Sequence, residues 1–256
     1  MPEMPSALEM HRAGRLGRMR SRTVGDSRDG VPRWRSSWGW RWADYLMPAV
    51  AALGAWTRAH LVELPGFAGS GEPPHELSVA DHGKAVAEWL ESAARPVLLM
   101  GHSSGTQVAA RAATCCPGRV AGLVLASPTV DPVARSWLRL FVRWRLDSRR
   151  EPAGLSESHR PEWRRAGVRR LMHLVKAHLH DRLEDSVVDV AVPVLILRGR
   201  DDRLLTRHWA RELADRAGAA SVVELPGAHT FPWLDPEAWS PPVREFALRV
   251  GAANVS

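Results

Sequence analysis

Residues 96–110 constrain the fold more than any other stretch of the chain. Pro96-Val97-Leu98-Leu99-Met100 is a short apolar run, Gly101-His102-Ser103-Ser104-Gly105 follows, and Thr106-Gln107-Val108-Ala109-Ala110 continues in small, helix-compatible residues. That is the order of a buried strand, a tight turn carrying a serine, and a helix. So sharp a turn forces the serine into a strained backbone conformation, and a Cβ at Gly101 or Gly105 would meet neighbouring backbone. The strain lifts the Ser103 hydroxyl clear of the sheet, in front of a helix start that favours developing negative charge. The expectation is a nucleophilic serine on an α/β scaffold.

The remaining chain supplies the elements such a scaffold needs. Residues 45–54 read as a helix closed by Gly54, residues 60–64 as a strand, and residues 65–71 as a glycine-rich loop. The loop lacks the Gly-x-Gly-x-x-Gly spacing of a dinucleotide site. Ser78 and Asp81 form a capping-box start for a helix whose apolar side carries Val79, Ala85, Val86, Trp89 and Leu90. Further strands are expected at 120–126, 192–199 and 221–225, and helices near 206–217 and 236–249, the last with Trp239, Val243, Phe246 and Val250 inward. Strands alternating with helices argue for a mostly parallel sheet covered on both faces. Residues 131–187 break that rhythm: they are rich in Arg and His and contain no strand pattern. They are expected to be a helical cap inserted between core segments 43–130 and 188–256. Trp137, Leu140, Phe141 and Trp144 would form the cap's apolar face.

Bulk properties narrow the function classes. A chain of 256 residues with 45% hydrophobic residues suits one α/β core with an insertion. The net charge of +7 comes from scattered arginines, since Lys84 and Lys176 are its lysines, and no nucleic-acid module accompanies it. No apolar run approaches the roughly 20 residues of a membrane span, and no secretory h-region is present. Adjacent Cys115 and Cys116 make no disulfide framework. A cytoplasmic protein acting on a small molecule, with no nucleic-acid or membrane partner, is the expectation; oligomeric state is not legible.

Residues 1–42 show neither helix nor strand periodicity. Trp34, Trp38, Trp40 and Trp42 crowd into nine positions amid Arg, Gly and Ser. A disordered basic extension is one reading. Glu3, Glu9, Asp26 and Asp29 argue against a targeting peptide. Tryptophan and arginine at this density are also what GC-rich DNA gives when read out of frame.

Serine nucleophiles need a base to take the hydroxyl proton and a carboxylate to orient that base. Gly199-Arg200-Asp201-Asp202 follows one buried strand and Pro226-Gly227-Ala228-His229 follows the next. Ser103, Asp202 and His229 therefore fall at the carboxyl ends of strands, where open α/β sheets place their sites. Asp201 and Asp131 are competing acids. His102, inside the turn, reads as structural. His173, His178 and His180 do not share one helix face, so no metal site is expected.

Four segments together are similar to the α/β-hydrolase superfamily of capped serine hydrolases: residues 64–71, Gly101-His102-Ser103-Ser104-Gly105, residues 197–202, and Gly227-Ala228-His229. The resemblance implies an α/β-hydrolase fold and cofactor-free cleavage of a small ester, thioester or lactone through an acyl-enzyme. Ser103 would be the nucleophile, His229 the base and Asp202 the acid, chosen over Asp201 because it lies three residues past Gly199. It also implies that the Ser104 N–H lies in the oxyanion hole and that Phe67 lines the entrance. Relatives carry a His-Gly pair after an apolar strand, supplying the second oxyanion donor. Neither is found at the corresponding residues 36–39, which implies missing or degraded N-terminal strands and impaired activity. Carbon–carbon bond hydrolysis by the same triad is an alternative; a non-catalytic, hydrolase-like binding protein is the rival from another class.

Overall fold

The computed structural model describes residues 8–26, 34–36, 43–67, 69–151 and 155–253. Among these, eight strands form one sheet: β1 (Leu8–Arg12), β2 (Met19–Val24), β3 (Trp34–Ser36), β4 (Ala59–Glu63), β5 (Val97–His102), β6 (Val120–Ala126), β7 (Val194–Gly199) and β8 (Ala220–Leu225). Their spatial order is β1-β2-β4-β3-β5-β6-β7-β8. β1 and β2 are antiparallel to their neighbours, and every pairing from β4 to β8 is parallel.

β5, β6 and β7 are buried along their whole length because helices cover both faces. Alternate residues divide between two cores. Val97, Leu99, Leu123, Leu125, Val194 and Ile196 pack under α2 (Val79–Leu90), α3 (Gly105–Cys115) and α7 (Arg207–Arg216). Leu98, Met100, Val124, Leu195 and Leu197 pack under α1 (Ala43–Gly54) and α9 (Pro236–Ala253), where Trp239 and Val243 are fully buried. Each such aliphatic side chain is worth about 1.5–3 kcal/mol on burial. α2 begins with the expected capping box: Asp81 N–H donates to Ser78 Oγ and Ser78 N–H to Asp81 Oδ2, each at 3.1 Å.

The N-terminal expectation needs correction. Residues 8–24 form two strands and 34–36 a third, so the sheet has the N-terminal strands that the periodicity did not reveal. β2 is built from charge rather than from apolar alternation. Glu63 of β4, 3% exposed, accepts from Arg20 Nε and Nη2 at 2.6 Å each, and Arg22 Nη2 lies 3.2 Å from the same carboxylate. Arginines buried against a carboxylate have no hydrophobic signature.

Between β6 and β7 the described chain is helical: α4 (Trp137–Ser148), α5 (Leu155–His180), broken at Gly167, and the short α6 (Leu183–Ser186). The expected apolar face of α4 also needs correction. Leu140 packs on Val130, Ala134 and Leu179, but Trp137, Phe141 and Trp144 are 43%, 57% and 40% exposed. The one residue of α4 that is buried is Asp147. Its carboxylate is turned inward by hydrogen bonds to loops of the core, which set the helix's rotation in place of the aromatic stripe.

Candidate active site

Three chain segments converge at the carboxyl end of the sheet. β5 ends at His102, and Ser103 takes φ 55° before α3 begins. For a serine this is the sparsely occupied left-handed region, held here by the Ser103 N–H bond to Ala126 O (2.9 Å). The turn requires glycine at 101, where a Cβ would sit 2.3 Å from Gly105 O. A second close approach joins the loops after β7 and β8. A Cβ on Gly199 would lie 2.2 Å from Ala228 O, and Asp201 N–H reaches Gly227 O at 2.9 Å. This contact brings the Asp202 loop against the His229 loop.

The result is a continuous hydrogen-bonded chain. Asp202 Oδ2 lies 3.0 Å from His229 Nδ1, and His229 Nε2 lies 2.8 Å from Ser103 Oγ. Asp202, 3% exposed, is fixed by Leu204 and Leu205 N–H groups donating to Oδ1 at 2.8 and 2.9 Å. Its acceptor oxygen makes His229 Nδ1 the protonated nitrogen, leaving Nε2 to accept from the Ser103 hydroxyl. Burial opposes the Asp202 charge, but His229 and the loop amides hold the carboxyl below its usual range. Burial likewise opposes charge on His229. Asp202 outweighs it, with Asp147 and Glu151 adding to the effect, and the imidazole is raised to about 9.

The main chain of His229 is gripped on both sides. Its carbonyl accepts from His102 Nε2 (2.9 Å) and Ser127 Oγ (3.1 Å). His102 Nδ1 in turn accepts from the Tyr45 hydroxyl at 2.9 Å, so His102 is structural as its place in the turn suggests. On the other side, the His229 N–H donates to Asp147 Oδ2 (3.3 Å) and the Thr230 N–H to Glu151 Oε1 (3.0 Å). Tyr45, Ser127, Asp147 and Glu151 are missed by sequence reasoning, because no motif or spacing ties them to the serine turn.

The competing acids lie elsewhere. Asp131 accepts from Val133 N–H (3.0 Å) and Thr206 N–H (2.9 Å), and the Asp201 side chain is 58% exposed. Ser104 is the N-cap of α3, so its amide belongs to the helix start that leaves N–H groups without intrahelical acceptors. Phe67 is not brought to this chain of groups. It is 5% exposed, stacks near His82 (5.8 Å between rings), and lines a cavity of about 240 Å³ to which none of Ser103, Ser104, Asp202 and His229 contributes. β3 pairs in parallel with β5, with Ser36 opposite Met100. The expected second-donor position falls from residue 37 onward outside the described residues. Among the described residues no group of His, Cys, Asp and Glu could hold a metal, and no helix is long and apolar enough to cross a membrane.

A mostly parallel sheet covered on both faces, with a strained serine turn and helices between β6 and β7, defines an α/β-hydrolase architecture. The chain belongs to the alpha/beta hydrolase family, whose profile matches residues 30–240. No curated protein sequence matches it. Solved structures of similar fold include E-2-(acetamidomethylene)succinate hydrolase, at TM-score 0.76 and 20% identity over 94% of this chain and 99% of that one. A thermophilic esterase from Thermogutta terrifontis gives TM-score 0.73 and 17% identity over 96% and 100% of the two chains. The enol-lactonase from Burkholderia xenovorans LB400 gives 0.70 and 18% over 92% and 99%.

Proposed function

We propose that this chain is a serine hydrolase that cleaves a small ester, thioester or lactone through an acyl-enzyme. The observation that carries the reading is the unbroken Asp202–His229–Ser103 chain of hydrogen bonds at 3.0 and 2.8 Å, buried at a strained serine turn. His229 Nε2 takes the Ser103 proton as Oγ attacks the substrate carbonyl. Asp202 keeps the imidazole in the required tautomer and stabilises the imidazolium. The Ser104 N–H donates to the oxyanion, and His229 returns the proton to the leaving group. Water then repeats the sequence on the acyl-enzyme. Residues 131–187 act as the cap over the 43–130 and 188–256 core and shape the substrate pocket. An esterase and a lactonase among the structures of similar fold are consistent with this substrate class.

The reading is tested by labelling the intact protein with a fluorophosphonate probe. Labelling that disappears in Ser103→Ala supports it. A folded wild-type protein that takes no label points instead to a non-catalytic binding protein. Because residues 36–39 lack the His-Gly pair, labelling is expected to be slow: one missing oxyanion donor costs about 10²–10³ in turnover.

A further inference from the structure

Helix α4 turns a carboxylate toward the core while three aromatic side chains face outward. A buried carboxylate persists only where its oxygens are satisfied. Those of Asp147 are satisfied by two amides: Oδ1 accepts from Arg203 N–H (2.9 Å) and Oδ2 from His229 N–H (3.3 Å). Glu151, just past the helix, accepts from Thr230 N–H at 3.0 Å and from the Thr230 hydroxyl. Arg203 directly follows Asp202, and Thr230 directly follows His229. Two carboxylates of the insertion therefore land on the two loops that hold the acid and the base.

A tether that merely fastens the insertion would not need these targets, because other bonds already fasten it. Arg170 of α5 donates to Gly66 O of the core at 2.9 Å. Gln107 of α3 donates to His178 O and Asp181 O, and Arg111 pairs with Asp181 at 2.9 Å. The His229 carbonyl, meanwhile, is already held by His102 and Ser127 from the core. Asp147 is what fixes the opposite, amide side of the same residue.

We propose that Asp147 and Glu151 are positioning residues for His229, through which the inserted helical segment sets the placement and basicity of the base. This rests on the reading of Ser103, His229 and Asp202 as a catalytic triad. The titratable and charged groups around the imidazole are Asp202 and Arg198 from β7 and its loop, His102 from β5, Tyr45 from α1, and Asp147 and Glu151 from the insertion. The insertion thus supplies two of the three carboxylates that favour the imidazolium formed when Ser103 gives up its proton. Burial, with Asp147 adding its charge, pushes the Glu151 carboxyl up to about 7 against the Thr230 bonds. Its share of the support therefore grows as pH rises through neutrality.

The test uses full-length Asp147→Asn and Glu151→Gln, each with Ser103 present and in a Ser103→Ala background. In the Ser103→Ala proteins, imidazole NMR follows the His229 titration, assigned against His229→Gln. In the others, fluorophosphonate labelling is measured against pH beside thermal melts. Asp147→Asn is expected to lower the His229 pKa by about one unit. Labelling per folded molecule at its plateau should fall about tenfold, because the amide-side anchor is weakened. Glu151→Gln should move the titration in the same direction, chiefly above pH 7, and decides the matter if Asp147→Asn does not fold. A lower melting temperature with unchanged His229 titration and unchanged labelling per folded molecule makes both residues a tether only, and overturns the proposal. Wild-type protein inert to the probe overturns the hydrolase reading, while the titrations still decide the positioning.

Discussion

Two buried charge clusters lie toward opposite ends of the same sheet. One joins β2 to β4: Glu63 with Arg20 and Arg22. The other joins the loops after β7 and β8: Asp202 with His229. Both pair an inaccessible carboxylate with a cationic side chain, yet they differ in what the partner can do. A guanidinium stays protonated throughout the range in which proteins fold, so the Glu63 cluster is a fixed cross-strand staple. An imidazole changes charge near neutrality, and its second nitrogen is left to face Ser103 at 2.8 Å. One cluster holds the sheet together; the other can move a proton.

Replacing one member of each cluster separates the two roles. His229→Ala is expected to cut fluorophosphonate labelling per folded molecule on the order of 10⁴–10⁶-fold, as loss of the base in the proposed triad would. Glu63→Ala should act on stability alone. It removes the buried carboxylate that Arg20 and Arg22 share, a loss of about 3–5 kcal/mol in denaturant unfolding, with labelling per folded molecule unchanged. If Glu63→Ala lowers labelling per folded molecule tenfold, the N-terminal strands bear on the site and the division fails.

The two clusters also differ in how far the sequence discloses them. The hydrogen-bonded chain of Ser103, Asp202 and His229 is legible because each residue follows an apolar run that reads as a buried strand. β5, β6 and β7 are legible for the same reason. β2 is not: Met19-Arg20-Ser21-Arg22-Thr23-Val24 sets two arginines against a buried carboxylate 41 residues beyond Arg22, and no local pattern announces such a pairing. Asp147 and Glu151 are hidden in the same way. Their partners are backbone amides, which every residue carries, so nothing in the sequence marks them. The aromatic spacing of α4 misleads for a related reason. Helical periodicity shows that Trp137, Phe141 and Trp144 share a side, but the bonds made by Asp147 determine which side turns inward.

The pH responses of the clusters should diverge. The His229 pKa is raised in the folded chain, so its contribution to stability is complete below about 6.5 and is lost as pH rises through about 9. That of Asp202 is lowered, so its contribution holds above the ordinary carboxylate range and is lost as pH falls below it. The proposed mechanism asks the opposite of His229, which must be neutral to take the serine proton. Labelling should therefore rise about tenfold per pH unit and level off near 9, where melts show stability declining. A labelling plateau already reached at pH 7 would show that the carboxylates do not raise the base. In Glu63→Ala both profiles should keep their shape, because that cluster lies on β2 and β4, away from the loops after β7 and β8.

The smallest effect comes from the most legible local feature. The Ser78–Asp81 capping box on α2 can be read directly from four consecutive residues, and the structure forms both of its bonds at 3.1 Å. Ser78→Ala removes one of them at a solvent-exposed helix start and should cost about 1 kcal/mol, with labelling untouched. Measured beside Glu63→Ala in the same denaturant, it should shift the midpoint by about a third as much or less. That ratio bears on how sequence and energy are related here. The cap is visible because both partners sit three residues apart, and weak because water can serve the amides it satisfies. The Glu63 cluster is invisible because its partners lie on separate strands, and strong because its shared carboxylate is buried away from water. A Ser78→Ala loss equal to that of Glu63→Ala would mean that the arginines find water in the variant, and that β2 is held by its backbone ladder rather than by charge.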